Sequence, residues 1–328
     1  MELEKIFIED VKHILRQARN QVLYQVNNLM VNTYYEIGKK IVEQEQFGKQ
    51  NAAYGTFLIE NLAKSLTLEF GKGFSKRNLE LIRKFYLTYR NAKSPISQSI
   101  GWTHYIYLMR IENENERQFY EIETHANNWS VRELERQIDS ALYERLAVSK
   151  DKEAIKQLSK KGQIIEKPSD IIKDPYILEF VGLPEQAIYS ESKLENQLIS
   201  QLEKFLLELG KGFAFVGRQV RFTFDEEHFK VDLVFYNRLI RCFVLIDLKI
   251  GKLKHQDLGQ MQMYVNYYDR FIKTEEENKT IGILLCKDKK DTLVEISLPE
   301  SNNQIFASKY QTILPSKEEW KKWIEMKA

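Results

Sequence analysis

Apolar side chains recur every three or four residues through the first half of the chain. In the second half they gather into short alternating or unbroken runs. Ile6, Val11, Ile14, Leu15, Val22, Val26, Leu29 and Met30 mark one face of a long N-terminal helix, because 3.6 residues per turn returns these positions to the same side. A second helical pattern runs from Tyr54 to about Leu68 and a third from Ser75 to about Tyr89, with Ser75 as N-cap and Gly71 and Gly73 between them. Pro95, Ser97 and Ser99 predict a loop before an aromatic-rich helix from Trp102 to about Ile111. Ser130 followed by Glu133 is a capping-box pattern, opening a helix that carries Leu134, Ile138, Leu142 and Leu146.

From 149 to 189 the pattern breaks. Lys150, Lys152, Lys156, Lys160, Lys161, Lys167 and Lys173 crowd together, and Pro168, Pro175 and Pro184 interrupt any long helix. This predicts a partly ordered connector between a helical domain over 1–148 and a second domain over 190–328. The second domain reads as a helix from Lys193 to Leu209, strands over 213–224, 228–236 and 241–250, and a helix over 256–271. Strands over 280–286 and 293–297 complete it. Cys242 to Ile246 is continuously apolar, as a central strand covered on both faces requires. That order predicts an α/β layering about a mixed sheet.

Composition narrows the function classes. The 328 residues carry 49 basic and 47 acidic side chains, so no global field draws the chain to a polyanion and any nucleic-acid site is a local patch. Cys242 and Cys286 are too few for a disulfide scaffold or a four-thiolate zinc site and suit a reducing compartment. No apolar run reaches the ~18 residues of a membrane span and no signal peptide is visible, so a cytoplasmic protein without a membrane partner is expected. His13, His104, His125, His228 and His255 are scattered without ligand spacing, which argues against a zinc hydrolase. Leu68–Ser75 echoes Leu207–Ala214, each with Gly-Lys-Gly-Phe. Neither has the upstream glycine and following Ser/Thr of a phosphate loop, so both read as helix stops.

The chemistry concentrates in 229–249. Asp247 directly follows the most apolar run in the chain, and Asp232 interrupts another apolar strand. Charges in such places are costly unless a function retains them. Asp247 and Lys249 share one strand face, and a short hairpin would bring Asp232 beside Asp247. Facing carboxylates repel unless a cation lies between them. Lys249 balances one, and a hard divalent cation, Mg²⁺ or Mn²⁺, would balance both and leave room for water and phosphate. The competing reading is an exposed ion pair worth ~0–1 kcal/mol.

Asp232 and Asp247-Leu-Lys249 resemble the PD-(D/E)XK phosphodiesterase signature. The wider text resembles the YhcG-like nuclease family: the run from Phe205 to Gln219, Val231–Tyr236, Leu248–Lys252, Gly259–Met261 and Ile281–Cys286. In the first half, Tyr34–Gly38, Tyr54-Gly55, Gly71–Ser75 and Trp129–Leu134 match it too. The resemblance covers nearly the whole chain. It implies a restriction-endonuclease-like αβββαβ core behind an all-helical N-terminal domain, winged-helix or helix-turn-helix in type. It further implies Asp232 and Asp247 as metal ligands, Lys249 as the catalytic lysine and an acid from the first core helix, Glu195 or alternatively Glu191. Gln260 and Tyr264 resemble the Gln-x-x-x-Tyr that some members set beside the scissile strand, although Tyr264 equally suits the core with Met261 and Val265. Val231 replaces the usual proline before Asp232, and Asp247 stands where Glu is frequent.

Substrate contacts are expected from Lys252, Lys254 and Tyr264, and from a basic helix after a Gly-containing turn that carries Lys76, Arg77, Arg83 and Lys84. That helix equally suits a protein-binding platform. The sequence therefore points to a divalent-metal-dependent endonuclease hydrolysing phosphodiester bonds, DNA the expected substrate, acting as a homodimer in the simplest arrangement for a duplex. The alternative is a nucleic-acid-binding or assembly factor that keeps the fold without turnover.

Overall fold

The computed structural model describes residues 2–47, 52–90, 100–147, 152–184, 189–316, 319, 320 and 322. The expected loop at Pro95, Ser97 and Ser99, and Lys150 of the basic stretch, lie outside the described residues. The chain divides into two compact units, one of residues 1–136 with 156–162 and the other of 137–155 with 163–328.

Among the described residues the first unit is helical throughout, so the helix-turn-helix expectation carries no β wing. In chain order the helices run α1 (Glu2–Phe47), α2 (Ala52–Phe70), α3 (Lys76–Tyr89), α4 (Trp102–Leu108), α5 (Glu114–Asn127), α6 (Val131–Asp139), α7 (Leu142–Ala147) and α8 (Lys152–Lys161), of which α7 falls in the second unit and α6 and α8 span the division. Ser75 caps α3 by accepting from the Asn78 N–H, and Ser130 and Glu133 form the reciprocal capping box that opens α6. Leu79, Ile82, Phe85 and Tyr89 are the buried stripe of α3. Gly38 lets α1 approach that helix, since a β-carbon there would collide with the Ile82 carbonyl. Phe7, Val11, Ile14, Leu15, Val22, Val26 and Leu29, earlier in α1, are exposed.

The helix expected to carry Leu134 to Leu146 is two helices, α6 and α7, broken where Ala141 adopts φ +50°. Among its described residues the Lys/Pro stretch expected to be a partly ordered connector is folded. It carries α8 and then β1 (Tyr176–Ile177), whose residues are fully buried.

The second unit adds α9 (Glu191–Ser200), α10 (Leu202–Leu209), β2 (Phe213–Phe224), β3 (Glu227–Asn237) and β4 (Cys242–Lys252). After these come α11 (His255–Tyr267), β5 (Ile281–Asp288), α12 (Asp291–Ser297) and β6 (Ile305–Gln311). They build one mixed sheet in the order β1-β6-β5-β4-β3-β2. β2, β3 and β4 pair antiparallel, and the pairs β4–β5, β5–β6 and β1–β6 are parallel. Leu194, Leu198, Phe205 and Leu209 of α9 and α10 cover one face with Leu233, Phe235, Val244 and Ile246, while Leu258, Met261, Tyr264 and Val265 of α11 cover the other with Val231, Leu245 and Leu284. Burial on both faces is what the unbroken apolar run of β4 requires.

Three expectations differ. The segment 293–297 is helical, with Ile296 86% exposed: Asp291 in the first turn suits a helix start, and the strand pairings among the described residues do not include it. The closing strand is β6, whose Ala307, Ser308 and Lys309 dilute the apolar pattern. The helix over 193–209 breaks at Gln201 into α9 and α10.

Candidate active site

β2 and β3 join through a tight turn in which Asp225 and Glu226 both have positive φ, 50° and 63°. This fixes the register: Arg218 faces Leu233 and Val220 faces Val231, so Gln219 stands opposite Asp232. On the other side of β3 the ladder with β4 ends at Leu233 and Ile246, and its next position sets Asp232 opposite Asp247. Three neighbouring strands therefore carry Gln219, Asp232 and Asp247 in one row where both ladders are interrupted.

Side chains replace the missing backbone bonds. Asp232 Oδ2 accepts the Leu248 N–H at 2.8 Å, and Asp232 Oδ1 accepts from Gln219 Nε2 at 3.1 Å. The same Gln219 nitrogen donates to Glu195 Oε2 at 2.6 Å. Glu195 is 4% exposed, and its Oε1 lies 3.3 Å from Arg218 Nε without a hydrogen-bond donor of its own. Lys249 Nζ stands 2.7 Å from Asp247 Oδ2 as an ion pair, so the ammonium is the partner of this buried oxygen.

Protonation follows burial. Burial, then the Asp232 charge, pushes the Asp247 carboxyl up to about 7 against the pull of Lys249, and Glu191 adds to the rise. For Lys249, burial works to lower the ammonium, but Asp247, Glu191 and Asp257 outweigh it and the net shift is upward. Burial also raises Glu195, opposed by the Gln219 bond and reinforced by Asp232. Tyr264 is pushed up to about 12 by burial and then by the Asp247 charge.

Among the described residues no three His, Cys, Asp or Glu side chains are gathered into a ready-made metal cage. The donor set nevertheless fits a hard divalent cation: Asp232 and Asp247 are opposed in register, and the buried Glu195 Oε1 has no hydrogen-bond donor. Mg²⁺ characteristically takes one or two carboxylates and keeps several waters.

The two candidate helix acids address different ends of this row. Glu195 shares Gln219 with Asp232, while the exposed Glu191 reaches Asp247 and Lys249 through its charge. Gln260 is exposed on α11 and donates to the Tyr264 hydroxyl at 2.6 Å. Tyr264 is 1% exposed, packed edge-on against Phe222. It is a core residue whose hydroxyl senses the site. Lys252 and Lys254 are exposed at the end of β4 and in the turn after it. In the first unit Lys76 pairs with Glu60 and Arg83 with Glu45, both at 2.6 Å, while Arg77 and Lys84 are exposed. Half of the expected basic helix surface is thus neutralised within its own unit.

Gln219 is a site residue that the sequence pattern alone does not mark. A lone Gln in a strand is uninformative until the Asp225–Glu226 turn fixes the register. Only then does it stand opposite Asp232.

An open sheet whose forked central strands carry opposed carboxylates and a lysine defines the class of PD-(D/E)XK-type phosphodiesterase folds. The chain belongs to the YhcG family. Residues 169–325 match the YhcG PD-(D/E)XK nuclease domain and residues 10–145 match the DUF1016 N-terminal domain. It is 38% identical to YhcG of Escherichia coli (strain K12), named as a candidate nuclease, over 94% of this chain and 90% of that protein. Similar solved structures include a repair endonuclease from Pyrococcus abyssi (17% identity, TM-score 0.27, 40% of this chain and 50% of that one). Another is EndoMS in complex with double-stranded DNA (17% identity, TM-score 0.28, 41% and 49%). The chain spans about half the length of these two. No helix among the described residues is long and apolar enough to cross a membrane.

Proposed function

We propose that this chain is a divalent-metal-dependent endonuclease that hydrolyses phosphodiester bonds, with DNA as substrate and Mg²⁺ or Mn²⁺ as cofactor. The observation that supports this best is the register: Asp232 and Asp247 opposed where the β3–β4 ladder stops, with Lys249 on Asp247. A purely structural sheet gains nothing from facing carboxylates at its centre.

In this reading Asp232 and Asp247 hold the cation, completed by Glu195 or Glu191. The bound cation would polarise the scissile phosphate and acidify a water. Lys249 is held as an ammonium by its raised pKa. It is placed to orient the attacking water and to stabilise the negative charge that grows on phosphate. The Leu248 N–H and the Gln219 amide fix Asp232, so the water's approach is set before substrate arrives. Gln260, Lys252 and Lys254 would meet the nucleic-acid backbone, and Lys76, Arg77, Arg83 and Lys84 would give the first unit its own backbone contacts, both weakened by salt. Two buried, unpaired cysteines suit the cytoplasm as the compartment. A two-fold dimer would bring one site to each strand of a duplex.

The deciding experiment incubates labelled single-stranded, duplex and branched DNA and RNA with Mg²⁺, Mn²⁺ or EDTA, beside Asp247→Ala and Lys249→Ala. Metal-dependent cutting lost in both variants is expected. Cutting that survives in EDTA or in either variant would refute the assignment.

A further inference from the structure

We infer that Gln219 is a positioning residue for the cation, tying the helix acid Glu195 to the strand acid Asp232 as one preformed ligand unit. The inference rests on the metal-dependent reading above and adds to it a residue outside the acid-and-lysine set.

Three observations carry it. Gln219 sits at φ +48° in the interior of β2, a left-handed conformation that a non-glycine residue in a strand adopts only under constraint from its surroundings. Its single Nε2 then reaches both carboxylates, at 2.6 Å and 3.1 Å. Both partners are acceptors, so only the NH₂ end of the amide can face them. Finally, Gln219 takes Glu195 Oε2 and leaves the buried Glu195 Oε1 without a hydrogen-bond donor. A backbone distorted only to bend the strand would not need an amide there. The preceding bulge at Phe215–Gly217 already bends it, and Gly217 is available for that purpose.

The chemistry follows from geometry. Two carboxylates on different elements drift apart when their charges repel. One neutral amide donating to both holds them together without supplying a charge that would compete with a cation. Hydrogen bonds of this kind to ligating carboxylates typically tune metal affinity by about 10–100-fold.

The test uses the full-length protein with Gln219→Asn and Gln219→Gly. Asn keeps a side chain tolerant of left-handed backbone but is one carbon too short to span both acids, and Gly removes the amide while relaxing the backbone. Mg²⁺ and Mn²⁺ binding would be followed by calorimetry without nucleic acid, alongside melting temperatures in EDTA. The expected result is affinity reduced about 10–100-fold in both variants, with EDTA melting temperatures within a few degrees of wild type. Unchanged or tighter binding would overturn the inference, since the amide would then be neutral or a competitor. Collapse of both variants in EDTA would overturn it too, assigning Gln219 to the strand rather than the cation. Absence of metal binding by the wild-type chain would instead count against the metal-dependent reading itself.

Discussion

Asp232 Oδ2 accepts the backbone N–H of Leu248 at 2.8 Å, so a side chain of β3 takes the place of the backbone carbonyl where its ladder with β4 ends. The two acids of the fork therefore differ in their structural roles. Asp232 closes a backbone bond, whereas Asp247 is 4% exposed beside a like charge. Removing them should move stability in opposite directions. Asp232→Ala strands the Leu248 N–H and is expected to cost about 1–3 kcal/mol in EDTA. Asp247→Asn relieves repulsion and should be neutral or stabilising at pH 8. Urea unfolding of both variants in EDTA checks the signs, and equal losses would refute the distinction.

The same repulsion makes metal binding a function of pH. Burial and Asp232 raise the Asp247 carboxyl to about 7, so below that pH a proton must leave before a cation can bind. Mg²⁺ affinity should fall roughly tenfold per pH unit below 7 and level off above it. In EDTA the sign for folding is the reverse of the usual aspartate. Its folded pKa is raised, so its contribution is fully present below about pH 4 and is lost as pH rises through 7. Mg²⁺ should restore that loss, and thermal shifts with Mg²⁺ or EDTA between pH 5 and 8.5 measure both effects. A Mg²⁺ shift independent of pH would exclude Asp247 as a ligand.

How far sequence reaches is visible in these same residues. The alternation of β3 and β4 was sufficient to set Asp247 and Lys249 on one face, because strand period is fixed by the backbone. The helix stops at Gly71 and Gly210, at φ +88° and +104°, were equally legible, since glycine alone adopts such values freely. What escaped depends on partners distant in the chain. β6 is a strand because β5 and β1 flank it, although its own Ala307, Ser308 and Lys309 argue weakly for one. Gln219 gains meaning only through a register that a turn of two non-glycine positive-φ residues imposes. Ile296 shows the converse: apolar residues in a short run suggest a strand, yet they form a helix that packs Val294 on the core and leaves Ile296 exposed.

Arg145 and Glu208 test how the second unit is closed. Their side chains are fully buried and paired at 2.6 Å. Arg145 also donates to Ser140 and to the carbonyl of Pro175, and Glu208 Oε1 accepts the Ile177 N–H. The pair thus joins α7, α10 and the β1 strand that pattern reading left in a connector. Glu208→Gln or Arg145→Met leaves one buried charge uncompensated and should cost about 3–5 kcal/mol in urea unfolding. Replacing both with Met and Leu should recover a large part of that loss. A double variant as unstable as the sum of the singles would show that the surrounding bonds, not the charge pair, close the unit.

In the first unit a buried carboxyl ties stability to pH. Glu121 is 6% exposed, and burial pushes it up to about 7, even though Tyr105 donates to its Oε1 at 3.3 Å and Arg117 is close. Tyr105 and Tyr89 are themselves raised by burial and by this carboxylate, so both stay neutral and add no second negative charge beside it. With the folded pKa above the unfolded one, the stabilising contribution of Glu121 is complete below about pH 4.5 and disappears as pH climbs through 7. A rise from 4.5 to about 7 corresponds to up to ~3 kcal/mol between those limits. Glu121→Gln keeps an acceptor for the Tyr105 hydroxyl and removes the charge. It should therefore raise stability at pH 8, leave it nearly unchanged at pH 4.5, and flatten the pH dependence of melting for the transition that includes the α3–α4–α5 aromatic core. Parallel wild-type and variant curves across that range would place the titration elsewhere.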